Sequence, residues 1–314
     1  MIERYKNFDY LRGLAILAVI LIHVTAPTAI AEEPSGIILN QIPRFGVPVF
    51  VFLSGWGLTV AESYERSSHY FDFLKKRLMK LIPKYLVWNL IYYLFALVIE
   101  QQSISIVEFF QGVLIGRNYP HLYFVPLITL FYMVYPLLMK LGEKPWGVGL
   151  TFILTMASLV MHPNLGEQFT QNQNPLNWLF YFVFGIWVAN YYEEIKEKLH
   201  KTWVLLFFSI STVYIVLEPF FFVTDPIFDQ TRPSIVFFSV FMILITMVFP
   251  NWLNPFREIL NPVEEFSFSI YLSHYLFIRI FRLLLPATPN ILLFILVLAS
   301  SVVLAVIEKK VIRR

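Results

Sequence analysis

His23 lies in the middle of the first long apolar run, Leu14 to Val24, and Arg12 stands at the mouth of that run. An ionisable side chain at membrane depth is costly to keep, so by default it marks a candidate site. The two residues are eleven positions apart, about three turns at 3.6 residues per turn, so they share one face of a helix. Along the axis they are separated by roughly 16 Å, about half the thickness of a hydrocarbon core. Asp9, one turn before Arg12, extends the same stripe. Histidine is the side chain best suited to moving a proton near neutral pH. The stripe therefore offers proton transfer at depth with a cation at the mouth. His23 alone could be a helix–helix contact and Arg12 a topological anchor, but three such residues on one face favour function.

Other groups could take part. Lys75, Lys76, Arg77, Lys80 and Lys84 fall in the stretch Asp72 to Lys84, at the start of the third apolar run. Such clusters orient helices and touch anionic lipid. They could also clamp phosphate, with Arg77 bidentate and the lysines acting as point charges. In the second run Ser54, Gly55 and Gly57 follow Pro48. Small residues let helices approach closely, and serine can bond between them. Packing is the expected role for Ser54 and Gly55, with lining of a cavity as a second. His121 and Tyr123 precede Pro126 at one end of the fourth run, and Tyr271 and His274 are i, i+3 neighbours on one helix face. Ionisable groups seldom face lipid, so histidines in three different runs point to a shared polar cavity. No metal site is expected, and no phosphate-binding glycine loop or nucleic-acid motif is present.

The elements that carry these residues are membrane helices. The 314 residues are 58% hydrophobic and only 14% charged, with a mean hydropathy of +0.66, far more apolar surface than a soluble chain of this length needs. The absence of cysteine excludes disulfides, thiolate metal sites and a cysteine nucleophile. Ten apolar spans are expected, at 10–30, 44–62, 81–99, 121–139, 146–162, 176–192, 202–219, 233–250, 264–285 and 290–307. Charge placement fits that count. With the N-terminus inside, all of the 24 Lys and Arg except Arg44, Arg117, Arg232, Arg279 and Arg282 fall in cytoplasmic segments, Arg66, Arg313 and Arg314 among them. Both termini are then cytoplasmic, Arg12 faces the cytoplasm and His23 lies in the outer half. A cleavable signal ending near Ala29-Ile30-Ala31 is the competing reading of the first run; Asp9, Arg12 and His23 are features a signal core does not require. The fold class is an all-α polytopic membrane helix bundle of one domain, 1–314. The connections are short, the longest being the basic stretch 62–80.

In this order the residues resemble the membrane-bound acyltransferase family 3 over essentially the whole chain. The match is most specific in Asp9-Tyr10-Leu11-Arg12-Gly13-Leu14-Ala15 with His23 completing Arg-x10-His. It is supported by Val47-Pro48-Val49-Phe50 with Ser54-Gly55, by the basic stretch ending at Pro83, and by Tyr271-Leu272-Ser273-His274. The resemblance implies a ten-helix enzyme of the cell membrane. It would move an acyl group, usually acetyl from acetyl-CoA, to a hydroxyl of an extracytoplasmic cell-envelope glycan or related acceptor. The family's catalytic pair falls on His23 and Arg12. Its Arg-x-x-Arg motif falls on Arg77 and Lys80, the second position having become lysine. The family often has Trp where this chain has Tyr123. Many relatives carry a fused esterase-like domain, which is not expected here, so the chain would act alone or pass the group to an accessory transferase; a homo-oligomer is also open.

The mechanism expected from these residues places the acyl-CoA phosphates on Lys76, Arg77, Lys80 and Arg12. His23 would be general base or transient acyl carrier, with His121, Tyr123, His274 and Tyr271 on the acceptor or oxyanion side. Asp9 is about 21 Å from His23 along a straight helix, too far to orient it, and is expected to pair with Arg12 or another cation. A transporter or flippase of a lipid-linked sugar would also place ionisable groups in a cavity and is the competing class. It would not cleave acyl-CoA.

Overall fold

The computed structural model describes residues 3–61, 70–161, 171–221 and 230–312. Arg66, Arg313 and Arg314, used in the charge argument, lie outside them. In chain order the helices are α1 (Glu3–Ile30), α2 (Pro34–Gln41), α3 (Gly46–Val60), α4 (Tyr70–Val98), α5 (Ile106–Ile115), α6 (Phe124–Met133), α7 (Tyr135–Gly142) and α8 (Pro145–Met161). They continue with α9 (Leu176–Asn190), α10 (Tyr192–Lys198), α11 (Lys201–Phe221), α12 (Pro233–Val248), α13 (Arg257–Glu265), α14 (Ser267–Leu284) and α15 (Asn290–Ile312). No strand occurs among the described residues, and the fold is an all-α polytopic membrane bundle.

A helix occupies each of the ten expected spans, but ten crossings are not confirmed. Among the described residues five helical stretches are long and apolar enough to cross a membrane: Lys6–Ile30, Pro34–Val60, Tyr70–Val98, Lys201–Phe221 and Asn290–Val311. A sixth arises if α6 and α7, bent by 76°, form one broken span. Pro136, in the first turn of α7, accounts for the bend, because its ring and missing N–H interrupt the helical ladder. The shortfall is one of length. With 15 and 16 residues, α9 and α12 reach only about 22–24 Å at 1.5 Å per residue, against a core of about 30 Å. The expected span 264–285 is interrupted at Phe266, between α13 and α14. A second correction concerns the basic stretch. From Tyr70 onward it is not a connection but the first turns of α4, whose 29 residues run about 43 Å and so outreach the hydrocarbon core.

The chain forms two compact units, Met1–Phe50 with Glu193–Arg314, and Val51–Tyr192. In the first, α1 is the central helix. It is apolar around most of its circumference, as a helix surrounded by others must be. Leu11, Ala15, Ile16, Ile20 and Val24 are all fully buried, and α2, α13, α14 and α15 pack on it. In the second unit α9 packs against α7 and α8. Gly55 of α3 and Gly185 of α9 make a backbone crossing: a Cβ on Gly55 would collide with the carbonyl oxygen of Phe182, and one on Gly185 with that of Phe52. Phe52 and Phe184 pack at the same crossing, 5.6 Å between ring centroids.

α5 was not expected. Ser105 and Glu108 close a capping box at its start, with Ser105 N–H donating to Glu108 at 2.9 Å and Glu108 N–H donating to Ser105 Oγ at 3.1 Å. These bonds hold the Glu108 carboxyl below the usual carboxylate range, the Ser105 backbone N–H contributing most. Gly116 ends the helix at φ +73°, where a side chain would run into the backbone of Tyr123. This turn sets the position of the segment that carries His121 and Tyr123.

Candidate functional site

The stripe read from the sequence faces one pair of elements in the first unit. Arg12 Nη1 donates to Glu264 Oε1 of α13 at 2.9 Å and lies 3.6 Å from Asp9 Oδ1. Asp9 and Glu264 thus share one guanidinium, each partly exposed. Eleven residues on, His23 meets α14: its ring centroid is 5.3 Å from that of His274 and 5.2 Å from that of Tyr275, which meets it edge-on at 87°. Since α13 and α14 follow each other directly, one continuous length of chain answers the whole stripe.

His23 and His274 differ in access. His274 is 0% exposed, whereas His23 is only half-buried. His274 Nδ1 lies 2.7 Å from the carbonyl oxygen of Tyr271 and 3.3 Å from that of Ile270. Carbonyl oxygens only accept, so Nδ1 carries the proton and, in a neutral ring, Nε2 keeps its lone pair. The i, i+3 relation of Tyr271 and His274 thus becomes a bond from the histidine to the Tyr271 backbone. The Tyr271 ring is itself buried, 6.0 Å from that of His274.

A polar shell surrounds the turn of α1 that carries His23. Asn40 of α2 is fully buried and donates through Nδ2 to the carbonyl oxygen of Ile22 at 2.8 Å and to Thr25 Oγ1 at 3.1 Å. Arg44, 1% exposed, donates to Asn40 Oδ1 at 2.5 Å, and its charge acts on His23. Arg232 pairs with Glu218 at 2.9 Å and donates to Gln41, and Glu218 accepts from Ser234 at 2.6 Å. From α14, Arg282 donates to the carbonyl oxygen of Val24 at 3.2 Å and to Asn290 at 2.9 Å. Sequence reasoning did not assign Asn40, Glu264 or Tyr275 to the site, and it read Arg44 and Arg282 only as outside charges. Glu264 and Arg282 had a detectable signal, being charged residues at the two ends of an expected span.

The remaining candidates lie in the second unit. His121 and Tyr123 are 2% and 6% exposed. Tyr92 meets His121 edge-on at 5.4 Å and packs tilted against Tyr119 at 4.3 Å, and Tyr123 packs 6.0 Å from Trp178. Asn118 bonds to Asn89 at 2.8 Å beside this aromatic group. On α4 the basic stretch divides between two faces. Lys76 and Lys80 are exposed and share an arc of about 80° with Val87, Leu90 and Leu94, which are also exposed. Arg77 is half-buried, its guanidinium 6.0 Å from the centre of the Phe73 ring. Ser54 is half-buried beside the Gly55 crossing. Among the described residues no group of three His, Cys, Asp or Glu is placed to hold a metal ion.

The family model described as "Acyltransferase domain" matches residues 5–307. The chain is similar to a Bacillus subtilis (strain 168) protein named as a membrane-bound acyltransferase, YfiQ, at 24% identity over 92% of this chain and 86% of that one. It is also similar to Staphylococcus aureus proteins named for export of poly-beta-1,6-N-acetyl-D-glucosamine, at 22% identity over 84% of this chain and 80% of theirs. A Staphylococcus epidermidis protein of the same name shares 24% identity over 84% of this chain and 79% of its own. No solved structure matches the chain.

Proposed function

This chain belongs to the acyltransferase-domain family of membrane proteins and is a membrane acyltransferase; from that premise we propose that it is an O-acyltransferase of the cell membrane with His23 as its general base. The donor is acetyl-CoA, reaching the site from the cytoplasm, and the acceptor is a hydroxyl of an extracytoplasmic envelope glycan. His23 removes the hydroxyl proton as the oxygen attacks the thioester carbonyl carbon. The carbon–sulfur bond then breaks, and CoA leaves as the thiol with the proton that His23 took up. Direct transfer needs no acyl-histidine, which is the second route open to the same residue.

The observation that carries this reading is the contrast within one histidine pair. His23 is reachable, while His274 is buried behind it with its Nδ1 proton committed to carbonyl oxygens. We therefore assign His274 to His23 rather than to the acceptor: its buried ring, 5.3 Å from that of His23, fixes the orientation of the base. Arg12, held by Glu264 and Asp9, lines the donor's side of the same stripe. Arg77, Lys76 and Lys80 are assigned to the donor phosphates. Because Lys76 and Lys80 share their face with exposed apolar residues, anionic lipid headgroups compete for them, and Arg77 is the strongest phosphate candidate of the three. His121, Tyr123 and Tyr271 are assigned to packing, each within its own unit, because their rings are buried.

His23→Ala tests the reading. With the protein in nanodiscs, acetyl-CoA as donor and envelope glycan as acceptor, thiol release and glycan ester formation should both disappear while expression and insertion stay normal. Retained ester formation would remove His23 from the base role. The names of the staphylococcal relatives favour a second reading, glycan export. A protein that moves glycan without releasing thiol from acetyl-CoA would establish export instead.

A further inference from the structure

The helical turn that carries His23 is gripped from two sides by side chains of other helices. Pro27 lies inside α1, four residues after His23, and cannot supply the N–H that would normally bond to the His23 carbonyl. A proline at this position loosens the ladder where the reacting side chain is mounted. The two neighbouring carbonyls are each engaged from outside the helix. Asn40 Nδ2 donates to Ile22 at 2.8 Å, and Arg282 Nη2 donates to Val24 at 3.2 Å. These donors come from α2 and α14, at widely separated places in the sequence. Each is itself braced. Arg44 donates to Asn40 Oδ1 at 2.5 Å, so the Asn40 amide cannot turn over without losing that bond and its donation to Ile22. Arg282 is braced by Asn290 at 2.9 Å, and Asn290 donates in turn to Thr28 of α1 at 2.9 Å. The grip therefore spans α1 from Ile22 to Thr28, with His23 and Pro27 between the points of attachment.

We infer that Asn40 and Arg282 are positioning residues that fix the His23 imidazole by holding the backbone carbonyls on either side of it. The physical reason is the tolerance of the chemistry. A base misplaced by about 1 Å loses on the order of a hundredfold in rate, and a proline-loosened turn does not hold that tolerance by its own hydrogen bonds. Second-helix donors supply the rigidity without occupying the face that His23 presents to its substrates. The inference rests on the reading of His23 as the base, and its test is chosen so that the two can fail separately.

The test uses the protein in nanodiscs, acetyl-CoA as donor and envelope glycan as acceptor, and the variants Asn40→Asp, Asn40→Ala, Arg282→Met and Arg282→Lys beside His23→Ala. Asn40→Asp keeps the acceptor for Arg44 and loses the donor to Ile22, so it isolates the bond in question. Thiol release at saturating acetyl-CoA should fall about tenfold or more in Asn40→Asp, Asn40→Ala and Arg282→Met. The KM for acetyl-CoA should change by less than about twofold. Arg282→Lys keeps one donor within reach of Val24 and should recover part of the loss. A merely structural defect would reduce the amount of active protein without this split and without that recovery. A second readout needs no substrate: the rate at which diethyl pyrocarbonate modifies His23, followed by peptide mass spectrometry, should shift in the same three variants. Normal thiol release and normal modification rates in Asn40→Asp and Arg282→Met would overturn the inference even if His23→Ala is dead. An active His23→Ala would overturn the base assignment, while the modification rates would still decide the positioning claim. Should Asn40→Ala not fold, Asn40→Asp and Arg282→Met carry the test.

Discussion

The two units of this protein bury different things. In the unit built from Met1–Phe50 and Glu193–Arg314, the buried polar side chains include Arg44, Arg232 and Glu218 besides His274. In the unit Val51–Tyr192, the buried polar side chains among the described residues are Asn89, His121, Thr151, Thr155, Ser158, Asn174 and Asn177, none of them a permanent charge. Burying charge in a membrane protein is expensive and is retained where a charge is used. Neutral amides and hydroxyls can be satisfied locally. Ser158 donates to Asn177 at 2.6 Å, and Asn174 donates to Ser158 at 2.9 Å. The contrast teaches that histidines at membrane depth can stand in different electrostatic settings. His23 stands among buried cations and a second histidine, whereas His121 stands among tyrosines and amides.

Three experiments would break or sharpen that contrast. The largest effect is expected at His274. His274→Ala should lower kcat for acetyl transfer by about a hundredfold, since the His23 ring loses the buried ring that orients it, with little change in KM. His274→Gln should recover part of it, and steady-state kinetics on both variants decides the matter. An unimpaired His274→Ala would reduce the histidine pair to packing. Next is His121→Ala, which should cost about 2–3 kcal/mol of stability by opening a cavity beside Tyr92. Activity per folded molecule should be unchanged. A thermal-shift series combined with specific activity separates these outcomes, and a lost activity with an intact melting temperature would make His121 a working residue. The smallest effect belongs to Arg77→Ala with Lys80→Ala, both at or near the surface of α4. Donor affinity should weaken roughly tenfold, a loss that shrinks as salt rises. Binding titrations at two ionic strengths in nanodiscs of neutral lipid check it, and unchanged affinity would leave the stretch a topological and lipid-facing role.

How much of this was legible beforehand varies by feature. The stripe of Asp9, Arg12 and His23 follows from helical periodicity, and the structure keeps Asp9 beside Arg12 at 3.6 Å. The close approach at Gly55 also follows from residue type, because only a glycine admits the carbonyl oxygen of Phe182 there. Span lengths were harder. Hydropathy marks where a helix can sit, but Pro136 and the break at Phe266 decide where it bends or stops, and α9 and α12 are shorter than a full crossing. The face of α4 was hidden as well: five cations in one stretch read as one cluster, yet about 100° of rotation separates Arg77 from Lys76 and about 60° separates it from Lys80.

The sequence by itself determined the helical class, the membrane setting, the family and the shared face of Arg12 and His23. All of these depend on composition, local periodicity or a short motif, quantities carried within a single helix. Only the tertiary structure decided that His274 stands behind His23, that Glu264 answers Arg12, and that Asn40 and Arg282 hold the turn between them. Those partners come from helices far apart along the chain, and which side chains meet depends on how each helix is rotated and set against its neighbour. No local pattern encodes that angle.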